Sequence, residues 1–224
     1  MGASTVDWGR VPRLHVVTDD DVMAAPDFPA VSRALVAAGG GGVALHVRGP
    51  RTSGRRLHII ASDLLAAAAQ TGAWVVVNDR VDVALATGAR VVHLAGRSLP
   101  AVEARRILGE DARIGVSCHT PDEAADASRE GADWIFAGTT YPTPSHRGRE
   151  GCGPEGVHRA SVAAGGVPVL AIGGVTAERV SEVVAAGAHG VAVVRAVWSA
   201  PDPVVALKEF LHELARDAGG TGSP

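Results

Sequence analysis

The sequence predicts one α/β domain folded as a closed (β/α)8 barrel. Three observations carry this. About eight short apolar runs, rich in Val, Ile, Leu and Ala, recur along the 224 residues, each bounded by turn residues, as buried parallel strands require. Each run is followed by a helical stretch, and several are introduced by the same pair: Gly72-Ala73, Gly88-Ala89, Gly131-Ala132 and Gly187-Ala188. The penultimate run is followed at once by Gly173-Gly174, where barrels of this kind build a phosphate cup. An open doubly wound sheet is the alternative. It would carry a GxGxxG fingerprint after its first strand if it bound a dinucleotide, and none is present.

Taken in order, residues 1–12 read as a loose lead-in and 13–216 as the barrel. LHVVT at 14–18 is the first strand, with a turn over 19–21, and 28–38 is a helix ending in the glycine run 39–42. VALHV at 43–47 is the second strand, followed by a long Ala-striped helix over 51–71. Residues 74–77 form the third strand, leading into Asn78, Asp79 and Arg80 and a short helix over 81–86. RVVHL at 90–94 is the fourth strand, with a helix over 100–108. RIGVS at 113–117 is the fifth strand, and Thr120 with Glu123 forms a capping box for the next helix. Residues 134–137 are the sixth strand, 138–154 a long loop, and 155–163 a helix. VLAI at 169–172 is the seventh strand, with Thr176 as the cap of its helix and Gly187 beyond that helix's end. Residues 190–194 form the eighth strand, 202–215 the closing helix, and 217–224 a frayed tail.

Composition narrows the function. A formal net charge of −3 argues against nucleic acid as a partner. No apolar run is long enough to cross a membrane and no secretory leader opens the chain, so the expectation is a soluble, cytoplasmic protein. Two cysteines, Cys118 and Cys152, make no disulfide framework and suit a reducing compartment. Barrels of this size often pair, so a homodimer is an open expectation.

In such a barrel chemistry sits where strands end and βα loops begin. The candidates are Asp19, Arg48, Asn78, Asp79, His93, Ser117, His119, the 138–154 loop with Gly138, Thr143, Ser145, His146, Arg147 and Arg149, and the cup formed by Gly173, Gly174, Val194, Arg195 and Ala196. The cup would hold a phosphate on backbone N–H groups, although the glycine pair can also be only a tight βα turn. His119 follows a strand end and precedes a helix cap, so it can move a proton near neutrality, or simply hydrogen-bond loop backbone. The adjacent helix N-terminus would disfavour its charged form. His93 reads as packed, His15 and His46 lie within strands with His46 near the barrel top, and His58, His158, His189 and His212 read as surface. A zinc site from Cys118, His119, His146 and Cys152 is possible by residue type, but the spacing matches no familiar pattern.

Four stretches carry a resemblance: NDRVDVALATGARVVHL at 78–94, IGVSCHTPDEA at 114–124, GADWIFAGTTYPTPS at 131–145 and VPVLAIGGVTAERVSEVVAAGAHGVAVV at 167–194. Together they resemble the thiamine phosphate synthase superfamily over about residues 13–210. The resemblance implies a phosphate-binding barrel. It also implies either of two reactions: joining of hydroxymethylpyrimidine diphosphate to a thiazole phosphate with Mg2+, or, in the TenI-like branch, metal-independent aromatisation of a carboxylated thiazole phosphate. Against the synthase pattern this chain has Ala44 and His46 in place of polar second-strand residues, Ser98 where a metal carboxylate is usual, and Ser145-His146-Arg147 where a lysine loop is usual, while Asp79 is kept. These departures lead to the expectation of a TenI-like thiazole tautomerase needing no cofactor. On that expectation His119 is the catalytic acid–base group, Arg48, Asn78, Ser117, Gly138, Thr143 and Ser145 meet the substrate, and the cup holds its phosphate. Synthase activity, with Asp79 as the Mg2+ ligand, is the alternative. Non-catalytic binding of a thiazole or thiamine phosphate is a third reading.

Overall fold

The computed structural model describes residues 9–143 and 150–218. Its eight strands are β1 (Leu14–Val17), β2 (Val43–Val47), β3 (Trp74–Asn78), β4 (Val91–Leu94), β5 (Arg113–Cys118), β6 (Trp134–Gly138), β7 (Val169–Ile172) and β8 (Gly190–Val193). All pair in parallel with their sequence neighbours, and β8 closes on β1 with Leu14 opposite Val191. The chain is therefore a (β/α)8 barrel. The helices are α1 (Asp20–Ala24), α2 (Phe28–Gly39), α3 (Gly54–Ala68), α4 (Val81–Thr87), α5 (Ala101–Leu108), α6 (Pro121–Arg129), α7 (Gly153–Ala163), α8 (Val180–Ala185), α9 (Arg195–Trp198) and α10 (Pro203–Ala218).

The strands are buried on both faces because alternate residues point to different cores. Leu14, Val16, Leu45, Val75, Val77 and Val92 face the helix ring. Val17, Ala44, Trp74, Val76, Trp134, Phe136, Leu170 and Ala192 fill the barrel interior. The Trp134 indole occupies the space where Gly115 lacks a side chain: a Cβ there would meet it at 2.1 Å. Three inward positions are histidines. His15 and His46 are fully buried and His93 is 2% exposed. His93 packs on Phe136 with ring centroids 4.0 Å apart.

Several local readings are corrected. The 19–21 turn is the start of a helix: the Asp19 side chain accepts from Val22 N at 2.8 Å and caps α1, a single short turn without helical periodicity to announce it. Thr176 makes no capping hydrogen bond, and the segment after β7 begins as a 3-10 turn over Ala177–Arg179. A further one-turn helix, α9, follows β8 directly. His189 is half-buried rather than on the surface, with Nε2 2.8 Å from Val11 O, and burial lowers its pKa. The last lead-in residues are thereby held, and Pro12 is buried at the base of the barrel. Residues 219–224 of the expected tail lie outside the described residues.

Candidate active site

The C-terminal strand ends form a mouth whose two sides are built differently. On one side are β7 and β8. Gly173 and Gly174 have φ of 101° and 63°, values that side chains resist. Added Cβ atoms would also lie 2.7 Å from Thr139 Cγ2 and 2.8 Å from Pro142 O. The glycine pair is thus required twice, by the turn and by close approach of the segment after β6. That segment continues along β7: Thr140 N donates to Ile172 O at 2.8 Å and Tyr141 N to Gly173 O at 2.9 Å. Cys152 N and Gly153 N return to Thr139 O and Thr140 O at 2.8 and 2.9 Å, which closes the loop at its neck. Just beyond β8, Val194 O accepts from Val197 and Trp198 at 3.2 and 3.1 Å, so α9 begins at Arg195. Among the described residues none accepts from the N–H of Gly173 or Gly174. Arg195 is exposed and Ala196 half-buried at this edge.

Across the axis lies the end of β3, four strands from β7 in the closed order. Asp79 has φ 60°. Its Oδ1 accepts from Ala95 N at 2.8 Å and from the Ser98 hydroxyl, tying the β3 end to the loop after β4. Arg80 turns away to pair with Asp82 at 2.6 Å. Asn78 is 7% exposed and its carboxamide meets His46 Nδ1 at 2.8 Å. Ser117 Oγ lies 2.8 Å from His93 Nε2. Arg48 is half-buried at the β2 end, and its backbone is fixed by Thr18, whose Oγ1 takes the Arg48 N–H at 2.8 Å.

His119 stands between the two sides. Its ring is exposed and Nδ1 lies 2.6 Å from Gly138 O. The carbonyl can only accept, so Nδ1 carries the proton and Nε2 is bare in the neutral ring. Thr120 Oγ1 accepts from Glu123 N at 3.2 Å, as the capping box predicts. The returning Glu123 carboxylate, however, takes the N–H of His119 at 2.6 Å, one residue before the cap. His119 is therefore held through backbone and ring together. It also lines a cleft of about 50 Å³ with Cys118, Cys152 and Arg159. Three members of the considered zinc set meet there, and His146 lies outside the described residues. Among the described residues no group of three His, Cys, Asp or Glu could hold a metal. Burial pushes the Cys118 thiol up to about 12 and raises that of Cys152, so neither is a ready thiolate. Of the expected substrate-binding residues, Gly138 is buried at the β6 end, Thr143 is half-buried at the loop neck, and Ser145 lies outside the described residues.

Fold and mouth define the class: a parallel (β/α)8 barrel with a glycine-built cup at its last two strands. The Thiamine monophosphate synthase family profile matches residues 14–197, and the chain belongs to that family. It is 39% identical over 205 residues to the Thiamine-phosphate synthase of Chlorobium phaeovibrioides, covering 91% of this chain and 94% of that one. It is 52% identical over 149 residues to the Thiamine biosynthesis bifunctional protein ThiM/ThiE of Symbiobacterium thermophilum. That match takes 66% of this chain and spans only 31% of the bifunctional protein. Among solved structures it is similar to the thiamine phosphate pyrophosphorylase of Pyrococcus furiosus, with a TM-score of 0.79, 29% identity, and coverage of 91% of this chain and 96% of that one.

These similarities overturn the tautomerase expectation. The relatives matched along nearly their whole length carry the synthase name. The structure supplies a physical reason for giving the departures less weight. Ser98 is not a simple loss, because its hydroxyl donates to the carboxylate of Asp79. One carboxylate beside a diphosphate is within what Mg2+ accepts. The relatives lend no support to the expectation that no metal is needed. No helix among the described residues is long and apolar enough to cross a membrane.

Proposed function

We propose that this chain is a thiamine-phosphate synthase. The thiazole ring nitrogen forms a bond to the methylene carbon of hydroxymethylpyrimidine diphosphate, the carbon–oxygen bond to the diphosphate breaks, and pyrophosphate leaves. The observation that carries this reading is similarity over nearly the whole chain to relatives of that name.

The two sides of the mouth divide the work. Gly173, Gly174, Val194, Arg195 and Ala196 take the thiazole phosphate on backbone N–H groups and one guanidinium, as anions are held at helix starts and glycine turns. Asp79 would hold Mg2+ together with the diphosphate. Its Oδ1 is engaged by Ala95 and Ser98, and no described residue donates to its Oδ2. Bound there, Mg2+ would neutralise charge on the departing diphosphate. Arg48 adds positive charge at the same side. Asn78, Ser117, Gly138 and Thr143, at or just beyond the ends of β3, β5 and β6, are the residues expected to meet the substrates. His119, with its bare Nε2, is a substrate-contacting group whose ring orientation is fixed by Gly138 O. Expression in a bacterium lacking its own thiamine-phosphate synthase tests the reading: growth without thiamine is expected, and failure of a well-expressed, folded protein to restore growth would count against it.

A further inference from the structure

The barrel interior contains a chain of polar groups that the proposed reaction leaves unused. His15 Nε2 lies 3.0 Å from Pro12 O, His15 Nδ1 lies 2.8 Å from His46 Nε2, and His46 Nδ1 lies 2.8 Å from the carboxamide atom of Asn78 that is placed as Oδ1. Both rings are fully buried and touch no carboxylate. Such rings stay neutral because burial disfavours the charged form. Burial lowers His15 well below its usual range. It takes His46 down to about 3, with the nearby Arg48 charge acting in the same direction.

Neutral rings leave one arrangement of protons. The Pro12 carbonyl only accepts, so His15 Nε2 carries its proton and His15 Nδ1 is bare. That bare nitrogen accepts from His46 Nε2–H, which leaves His46 Nδ1 bare in turn. The carboxamide must then present N–H to His46, since an oxygen there would set two lone pairs against each other. Oxygen and nitrogen ends of a carboxamide have the same shape, and the hydrogen-bond network decides between them. The other polar atom of the carboxamide has no partner among the described residues and is not buried.

We propose that His15 and His46 are positioning residues for Asn78, holding its Nδ2 inward so that Oδ1 faces the mouth and offers the substrate a hydrogen-bond acceptor. The direction is set at the base of the barrel by Pro12 and passed across three strands. At this position the site therefore selects an N–H or O–H of the ligand and rejects a phosphate oxygen. Assigning that ligand as the pyrimidine diphosphate rests on the synthase reading, because β3 lies across the mouth from the phosphate cup. The proton arrangement does not rest on it.

The test has two arms. Long-range proton–nitrogen NMR on the unliganded, 15N-labelled protein, with the His46 signals assigned by their loss in His46→Gln, reads which ring nitrogen is protonated. The expected result is His46 protonated at Nε2 and bare at Nδ1, unchanged from about pH 5 to about pH 8. A proton on Nδ1 would overturn the proposal whatever reaction the protein performs. In the second arm His46→Leu raises KM for the pyrimidine diphosphate about 10-fold, the scale of one lost hydrogen bond that leaves a buried donor unpaired, with the thiazole phosphate KM unchanged. His46→Gln, which still offers Asn78 an acceptor, restores most of the loss. A folded His46→Leu protein with unchanged KM for both substrates would refute the positioning role.

Discussion

The β7–β8 side of the mouth is made of backbone and the β3–β5 side of side chains, and the two are specified in different ways. At Gly173 and Gly174 the requirement is local: positive φ and no room for a Cβ. At Asn78 the requirement is remote, because the carboxamide is oriented by His46 and His15, which come from strands 32 and 63 positions earlier.

Substitutions on either side break this comparison selectively. The largest effect is expected for Asp79→Asn, which removes the carboxylate proposed to hold Mg2+. Turnover falls about 10²–10³-fold, the scale for losing one electrostatic stabiliser, with the thiazole phosphate KM unchanged. Steady-state kinetics with each substrate varied in turn reads this. Gly174→Ala acts on the opposite side. The thiazole phosphate KM rises about 10–100-fold and stability falls by about 1–3 kcal/mol, from a strained φ and a contact with Pro142 O, as phosphate titration and urea unfolding would show. His119→Ala is expected to be milder, about 5–10-fold in kcat/KM, because the proposed reaction asks His119 for contact rather than for a proton. A loss of 10³-fold or more would instead make it an acid–base group.

The interior histidines act on stability rather than on turnover. His15, His46 and His93 have pKa values lowered in the fold, chiefly by burial. The unfolded chain therefore binds more protons below the ordinary histidine range, and stability falls as pH drops below about 6.5. It is complete above that value and declines toward the folded pKa, by about 1.4 kcal/mol per pH unit for each histidine held neutral. Urea melts at stepped pH should show the slope, reduced by about one proton in His46→Leu.

The same contrast explains what the sequence disclosed. All eight strands were legible because buried parallel strands are short apolar runs, and the turn after β7 was legible because Gly173 and Gly174, which make it, are adjacent in sequence. Helix α1 was not, since one turn capped by Asp19 has no periodicity. The His15–His46–Asn78 chain was not, since its members are 31 and 32 residues apart. A signal was nonetheless present: each lies two residues from an apolar inward position, Val17, Ala44 and Val76, and so shares its face of the strand. The departures at Ala44, His46 and Ser98 misled the functional reading because they were weighed as losses. In the fold His46 joins a new network and Ser98 supports Asp79.

The most direct measurement incubates the purified protein with hydroxymethylpyrimidine diphosphate, thiazole phosphate and Mg2+, and follows thiamine phosphate by mass spectrometry beside released pyrophosphate. The account predicts equal amounts of both products, formed only when all three components are present and suppressed by chelator. Binding of both substrates to a folded protein, with no condensation and no pyrophosphate, would contradict it.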